Sequence, residues 1–174
     1  MRVPTVALVA IATVAIAVAA VFATLYVARA PEERVVVQKP CGERIFGHIA
    51  SLGQRSGRYE MRFDPAWFTT GLTANTAAAE DGVVVPGEPV PNDNYWIDEG
   101  HRPLTFLVSP TAHVTVLTRS GDPAGFGATP ITVSELAQLV RGETPVELFE
   151  PLDTGVWLRV RNDTACAIDQ QYLP

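Results

Sequence analysis

The residues of this sequence best suited to ligand binding are Trp157, Arg159 and Arg161. They alternate with valine and leucine in a segment typical of a β-strand, so all three side chains are expected on one face of it. An aromatic plane beside guanidinium groups can hold a sugar, a carboxylate or a phosphate. The alternative is that Trp157 covers a small second core and that the arginines pair with carboxylates such as Asp169.

A second group of candidates is the cluster of acids and amides between residues 80 and 99. Ca²⁺ takes roughly six to eight oxygen ligands from such groups, so Asp93, Asp98 and Glu99 form a candidate calcium site. The spacing does not match the EF-hand loop, and solvated carboxylates at turns are the alternative. Two carboxylates of this region could instead form the acid and base pair of a hydrolase.

Other catalytic motifs are absent from the sequence. The three histidines, His48, His101 and His113, lack the spacing of a zinc site. There is no Gly-x-Ser-x-Gly nucleophile elbow and no phosphate-binding glycine loop. The motifs therefore favour a non-enzymatic function.

Strand patterns must position these residues. Residues 58–64 alternate strictly, which places Met61 and Phe63 on a face that turns to the core. Prolines predict a break at 109–112, and residues 121–127 predict a loop. Further strands are predicted at residues 45–52, 95–97, 104–108 and 113–117, and a hairpin at 156–161 with 164–170 across the Asn162-Asp163 turn.

Three segments carry helix signals. Asp64 and Pro65 predict a helix start, with aspartate as N-cap and proline in the first turn. Residues 72–80 are rich in alanine and predict a short helix. Thr132 and Glu135 fit a capping box that opens an amphipathic helix, which a glycine ends.

The N-terminal segment over residues 3–28 carries no charged side chain. It is long enough to cross a hydrocarbon core of about 30 Å, and it exceeds the roughly 7–15 apolar residues of a cleaved signal. A retained anchor is therefore favoured, with the domain outside the cytoplasm at the plasma membrane; a signal cleaved after Ala23 and a secreted domain are the alternative. The predicted organisation is an anchor or signal at 1–30, a juxtamembrane stalk at 31–40 and an extracytoplasmic β-rich domain at 41–174.

Charge and composition narrow the partners. Arg2 is the only charged residue before Arg29, so the rest of the chain carries 12 basic and 19 acidic residues, a formal charge of −7. An acidic domain repels phosphate backbones, so nucleic acid is not an expected partner. Fourteen prolines and thirteen glycines indicate many turns and short elements rather than a helical bundle.

Cys41 and Cys166 are the two cysteines of the chain. Outside the cytoplasm they are expected to form a disulfide. Closing a loop of about 125 residues would stabilise the domain by roughly 4–5 kcal/mol in the chain-entropy model. The alternative is two free thiols.

The order of the predicted elements points to a small barrel. Two strands, an insertion, a long strand near His113, a helix and a final hairpin follow the order of an OB-type barrel. A half-open barrel or a small β-sandwich is the alternative. The expected fold class is mainly β with one or two short helices, preceded by the transmembrane helix.

The sequence also resembles uncharacterised exported single-domain proteins of GC-rich bacteria. The resemblance lies in RFDPAW (62–67), AAEDG (78–82), VPND (90–93) and DQQY (169–172). It implies a location in the bacterial envelope and carries over no known activity.

The function favoured is a non-enzymatic, membrane-anchored envelope module that binds a partner protein or a cell-wall glycan. One alternative is an extracytoplasmic enzyme with a carboxylate site within residues 80–99. Another is an adhesion module stabilised by calcium, and no other cofactor is expected.

Overall fold

The computed structural model describes residues 41–120 and 125–173, and these form seven β-strands and two short α-helices. The strands are β1 (Glu43–Arg55), β2 (Arg58–Thr70), β3 (Asn94–Ile97), β4 (Leu104–Arg119), β5 (Phe126–Ile131), β6 (Val156–Arg161) and β7 (Thr164–Gln170). The helices are α1 (Gly71–Glu80) and α2 (Val133–Val140). The predicted anchor at 3–28 and stalk at 31–40 lie outside the described residues. Among the described residues, none of the helices has the length and apolar character needed to span a bilayer.

Five of the strands close into a barrel. β1 pairs antiparallel with β2 and with β6, and β6 pairs antiparallel with β7. β7 pairs in parallel with β4, and β4 completes the ring by pairing with β2. β3 and β5 extend the sheet from β2 and β4. The prediction of a mainly β chain with a small barrel and short helices is confirmed.

The barrel interior holds the main core. Met61 and Phe63 are fully buried on the inner face of β2, which confirms the alternation predicted for that strand. Leu158 and Ile168 meet them from the final hairpin, and Leu136 of α2 packs on the same cluster. Each such side chain contributes about 1.5–3 kcal/mol by leaving water. Burial inside the ring therefore fixes which faces of the strands point outward.

Helix α2 begins at the predicted capping box. The Thr132 hydroxyl accepts a hydrogen bond from the Glu135 amide at 3.2 Å, and the Glu135 carboxylate accepts one from the Thr132 amide at 2.7 Å. Both donors of Thr132, the backbone amide first and then the hydroxyl, lower the pKa of Glu135. The helix lies on β1 and β4, where its apolar face joins the core.

Three sequence predictions about the strands are wrong. Asp64 and Pro65 do not start a helix, because both pair with β1 inside β2. The ladder between β2 and β4 has already ended at Phe63, so the proline is not required to donate a hydrogen bond to β4. The predicted break at 109–112 is a shift of register against β7 within the continuous strand β4. Phe126 and Gly127, predicted as the end of a loop at 121–127, belong to β5.

A small second cluster supports the insertion between β2 and β4. Ala74 and Ala78 of α1 are fully buried against Val90, with Tyr95 of β3 packed beside them. The Tyr95 hydroxyl donates to the Asp81 carboxylate at 2.9 Å. Burial and then this hydrogen bond raise the pKa of Tyr95.

A disulfide and a buried glutamine side chain tie other segments of the domain to the barrel strands. Cys41 and Cys166 form a disulfide with a Cα–Cα distance of 6.3 Å, which ties the segment before β1 to β7. The buried side chain of Gln170 accepts a hydrogen bond from the Leu117 amide at 2.9 Å and donates to the carbonyls of Glu150 and Pro151 at 3.0 and 3.1 Å. Gln170 thereby fastens the connection between α2 and β6 to β4.

Candidate ligand-binding cleft

The β1–β2 ladder ends before either strand does. Its last pair is Phe46 with Ala66. Among the described residues, β1 continues to Glu43 paired with β6 alone, and β2 continues to Thr70 paired with β3 alone. The two strands therefore diverge beyond Phe46, and a cleft opens between them.

Gly47 marks the point where the strands are still close. A Cβ atom there would overlap the backbone carbonyl of Asp64 and come within 2.8 Å of Pro65 Cα. Only glycine allows this approach. Gly47 thus fixes the position at which β1 and β2 begin to diverge, one residue before the last pair of the ladder at Phe46.

We call this space the β1–β2 cleft. It has a volume of about 360 Å³. Its lining is mostly apolar and aromatic: Arg44, Ile45, Phe46, Pro65, Ala66, Trp67, Phe68, His101 and Trp157. Apolar pockets with a few polar groups at the rim are typical of ligand sites.

Three aromatic rings form one wall of the cleft. Phe46 is 3% exposed, and its ring centroid lies 5.0 Å from that of Phe68 and 5.2 Å from that of Trp157. These distances suit tilted aromatic packing. The Trp157 indole also donates to the Gln171 side chain at 2.6 Å, which fixes the orientation of the ring. These contacts orient the rings of the wall in the absence of a ligand.

Two further tryptophans near the cleft stay in contact with water. Trp67, which lines the cleft, is 62% exposed. Trp96 is 38% exposed and pairs with Phe68 across β2 and β3. Large aromatic side chains left in water are a signature of interaction surfaces.

Arg44 and Arg159 flank the aromatic wall. The Arg44 guanidinium lies 3.8 Å from the Trp157 ring centroid, a cation–π contact. Arg44 and Arg159 are direct partners in the β1–β6 ladder, so two like charges occupy opposite positions on the outer face. Within residues 41–120 and 125–173, neither guanidinium has a carboxylate in ion-pair range. This arginine pair is suited to an anionic group from elsewhere.

The predicted binding residues are thus only partly gathered. Trp157 lines the cleft with Arg44, whereas neither Arg159 nor Arg161 does. Arg159 lies beside the cleft as the ladder partner of Arg44, and Arg161 is exposed farther along β6. Asp169, the carboxylate considered as a partner for the arginines, instead accepts a hydrogen bond from the Thr115 hydroxyl.

The predicted metal ligands have separate local partners. Asp93 accepts a hydrogen bond from the Gly71 amide at 3.1 Å, and Asp98 accepts one from the Gly100 amide at 2.8 Å. Glu99 lies 3.1 Å from His101 Nε2. Over the described part of the chain, no group of three His, Cys, Asp or Glu side chains is placed to hold a metal ion.

Sequence reasoning missed Arg44, Phe46, Phe68 and His101 as parts of the site. The available signal was Phe46, which follows Ile45 and so puts an apolar ring on the face that alternation assigns to solvent. Arg44 could not be found in this way, because its place opposite Arg159 depends on the register of strands far apart in sequence.

Comparison of the chain with protein-family models, with curated proteins and with solved structures finds no match in any of the three.

Proposed function

We propose that this protein is a non-enzymatic, membrane-anchored module of the bacterial envelope, and that its β1–β2 cleft binds a partner protein or a cell-wall glycan. The observation that carries the proposal is the packed aromatic wall beside two arginines that lack carboxylate partners among the described residues. A membrane location rests on the uncharged segment at 3–28. A secreted module is the alternative.

The barrel is proposed to be of the OB type. The parallel pairing of β4 with β7 and the position of α2 between β4 and β6 support this assignment, as does the order of the strands around the ring. Barrels of this type bind oligosaccharides, oligonucleotides or proteins on an outer face. The fold alone does not choose among these ligands.

The repulsion between Arg44 and Arg159 in the folded domain supports a binding role for this pair. Like charges directly opposite in a ladder destabilise a sheet by roughly 0.2–1 kcal/mol. The Arg44–Trp157 contact returns part of that cost. An anionic group bound between the two guanidinium groups would remove the repulsion.

A second candidate, an extracytoplasmic hydrolase, has one observation in its favour. His101 lines the cleft and lies 3.1 Å from Glu99, so a carboxylate could orient an imidazole as general base. Substitution of His101 by Gln would then abolish turnover of any substrate that the protein consumes. Under the leading proposal, the unmodified domain consumes no substrate, so the substitution has no turnover to remove.

Chelation of calcium distinguishes the third candidate, a calcium-stabilised adhesion module, from the leading proposal. Calcium that binds only the folded domain would raise its unfolding temperature. Addition of EDTA should therefore leave the unfolding temperature unchanged under the leading proposal. A clear fall on chelation that added Ca²⁺ reverses would favour the calcium module.

Site-specific photocrosslinking in intact cells tests the leading proposal. A photoreactive phenylalanine analogue replaces Trp67 at the cleft, and in the matched control it replaces Leu107, an exposed apolar residue on β4 outside the cleft. We expect an adduct that forms from position 67, fails to form from position 107, and disappears when Arg44→Gln is added. Identical adducts from both positions, or none from position 67, would contradict the proposal.

A further inference from the structure

We propose that the occupant of the β1–β2 cleft is an extended peptide segment of a partner protein. The segment adds as a strand to the free edge of β1, places an apolar or aromatic side chain in the cleft, and presents a carboxylate to Arg44 and Arg159. This inference rests on the function proposed above and names the ligand class of the same site.

The first argument is the open edge of β1. Glu43, Arg44 and Ile45 pair with β6 on one side, and among the described residues they have no strand partner on the other side. Unpaired backbone amides and carbonyls at a sheet edge are a template for an added strand. Because β2 has diverged toward β3 at this level, the edge is not closed off by its former neighbour.

The second argument is the chemistry of the cleft lining. Among the described residues, every lining side chain except those of Arg44 and His101 is apolar or aromatic, and none carries an amide or a carboxylate. A glycan can stack on such rings, but its hydroxyls also need hydrogen-bond partners, and the described lining supplies few of them. A volume of about 360 Å³ lies near the lower end of ligand pockets, which span roughly 300–1,000 Å³. The cleft thus suits one or two apolar side chains of a peptide.

The third argument is charge complementarity. The Trp157 ring holds the Arg44 guanidinium at 3.8 Å from its centroid, and Arg159 lies opposite Arg44 on β6. Guanidinium groups bind a carboxylate through two parallel hydrogen bonds. A peptide supplies that carboxylate either at its C-terminus or on an acidic side chain next to the apolar residue.

Selection from random peptide libraries tests the inference with the full-length chain in detergent. One library ends in a free carboxylate and the other in a carboxamide, and both are depleted on the Arg44→Gln variant before selection. We expect enriched peptides that carry an apolar or aromatic residue next to a carboxylate. Enrichment from the free-acid library alone assigns the carboxylate to the C-terminus, and enrichment of acidic residues from both libraries assigns it to a side chain.

Binding of the best peptide is then measured by fluorescence anisotropy. Affinity should fall about tenfold or more in Arg44→Gln, as expected for loss of a charge-assisted contact. Affinity should be unchanged in Arg58→Gln, a matched change at the exposed first residue of β2. N-methylation of alternate peptide amides should abolish binding in one frame and spare it in the other, because only one set of amides faces β1.

Several outcomes would overturn the inference. Failure to enrich peptides, enrichment without a carboxylate, or insensitivity to N-methylation in both frames would each do so. Purified glycan strands of the cell wall serve as the competing probe. If the glycan strands bind and Trp67→Ala weakens their binding, the peptide inference is wrong while the proposed binding function stands. If neither peptides nor glycan strands bind and no photoadduct forms at position 67, both proposals are wrong.

Discussion

Arg44 and Arg159 face each other across two strands without a carboxylate to separate them among the described residues. Sequence patterns identified Arg159 and Trp157 as neighbours on one face, since both follow from strand alternation along β6. Arg44 lies more than a hundred positions away, and only the β1–β6 register brings it there. At the scale of single residues, alternation is therefore predictable, whereas cross-strand neighbours are not.

Replacing Arg159 with Gln should stabilise the domain. The change removes one of two opposed positive charges and leaves the Arg44–Trp157 contact intact, for a gain of roughly 0.2–1 kcal/mol at low salt. Screening should shrink this gain at high salt. Urea unfolding followed by tryptophan fluorescence measures it, with Arg161→Gln as the control because Arg161 faces Thr164. A loss of stability at low salt would show that Arg159 has a favourable partner.

Replacing Gln170 with Leu should destabilise the domain by about 1–3 kcal/mol, the cost of buried polar groups left without partners. The affected groups are the Leu117 amide and the carbonyls of Glu150 and Pro151. Urea unfolding again provides the measurement. Gln54→Leu is the matched control at an exposed site, expected to change the free energy of unfolding by less than about 0.5 kcal/mol. Equal effects of the two changes would refute the role assigned to Gln170.

At the scale of elements, sequence patterns predicted a turn or a helix start correctly where all the residues that determine it lie in one short segment. The final hairpin has positive φ at Asn162 and Asp163, as its turn residues predict, and α2 carries the full capping box. The same kind of signal failed at Asp64 and Pro65, where pairing with β1 outweighs the local preference for a helix start. The cleft was equally hidden, because the end of a ladder is decided by strands distant in sequence.

The capping box predicts a pH dependence of stability. Hydrogen bonds from Thr132 lower the pKa of Glu135 in the folded state below its ordinary value of 4.5, so the folded state binds fewer protons than the unfolded state. The stabilisation is therefore complete above pH 4.5 and is lost as the pH falls through the lower, folded pKa. Urea unfolding at neutral and acid pH should show a smaller acid-induced loss in Glu135→Gln than in the unmodified chain.

Thr132→Ala offers an independent check of the same contact. It removes the hydroxyl donor and leaves the backbone amide, so its acid-induced loss should fall between those of the unmodified chain and Glu135→Gln. If Glu135→Gln retained the full pH dependence, the capping carboxylate would not be its source.

For the whole molecule, the disulfide between Cys41 and Cys166 is the longest-range constraint described. It joins residues 125 positions apart. Replacing both cysteines with serine should lower the free energy of unfolding by about 4–5 kcal/mol in the chain-entropy model, because the unfolded chain is no longer constrained. Urea unfolding without reductant measures the loss, and reductant should bring the unmodified chain to the same value while leaving the double variant unchanged. If the unmodified chain were equally stable with and without reductant, the stabilising role of the disulfide would be contradicted.

Ring closure also governs how the domain can be made. β1 pairs with β6, and β4 pairs with β7, so two strands that are synthesised early need partners that are synthesised late. A nascent polypeptide that has not yet reached residue 156 therefore shows two unfinished strand edges, which invite pairing with other chains. A chain released before residue 156 is therefore expected to aggregate rather than to act as a smaller module.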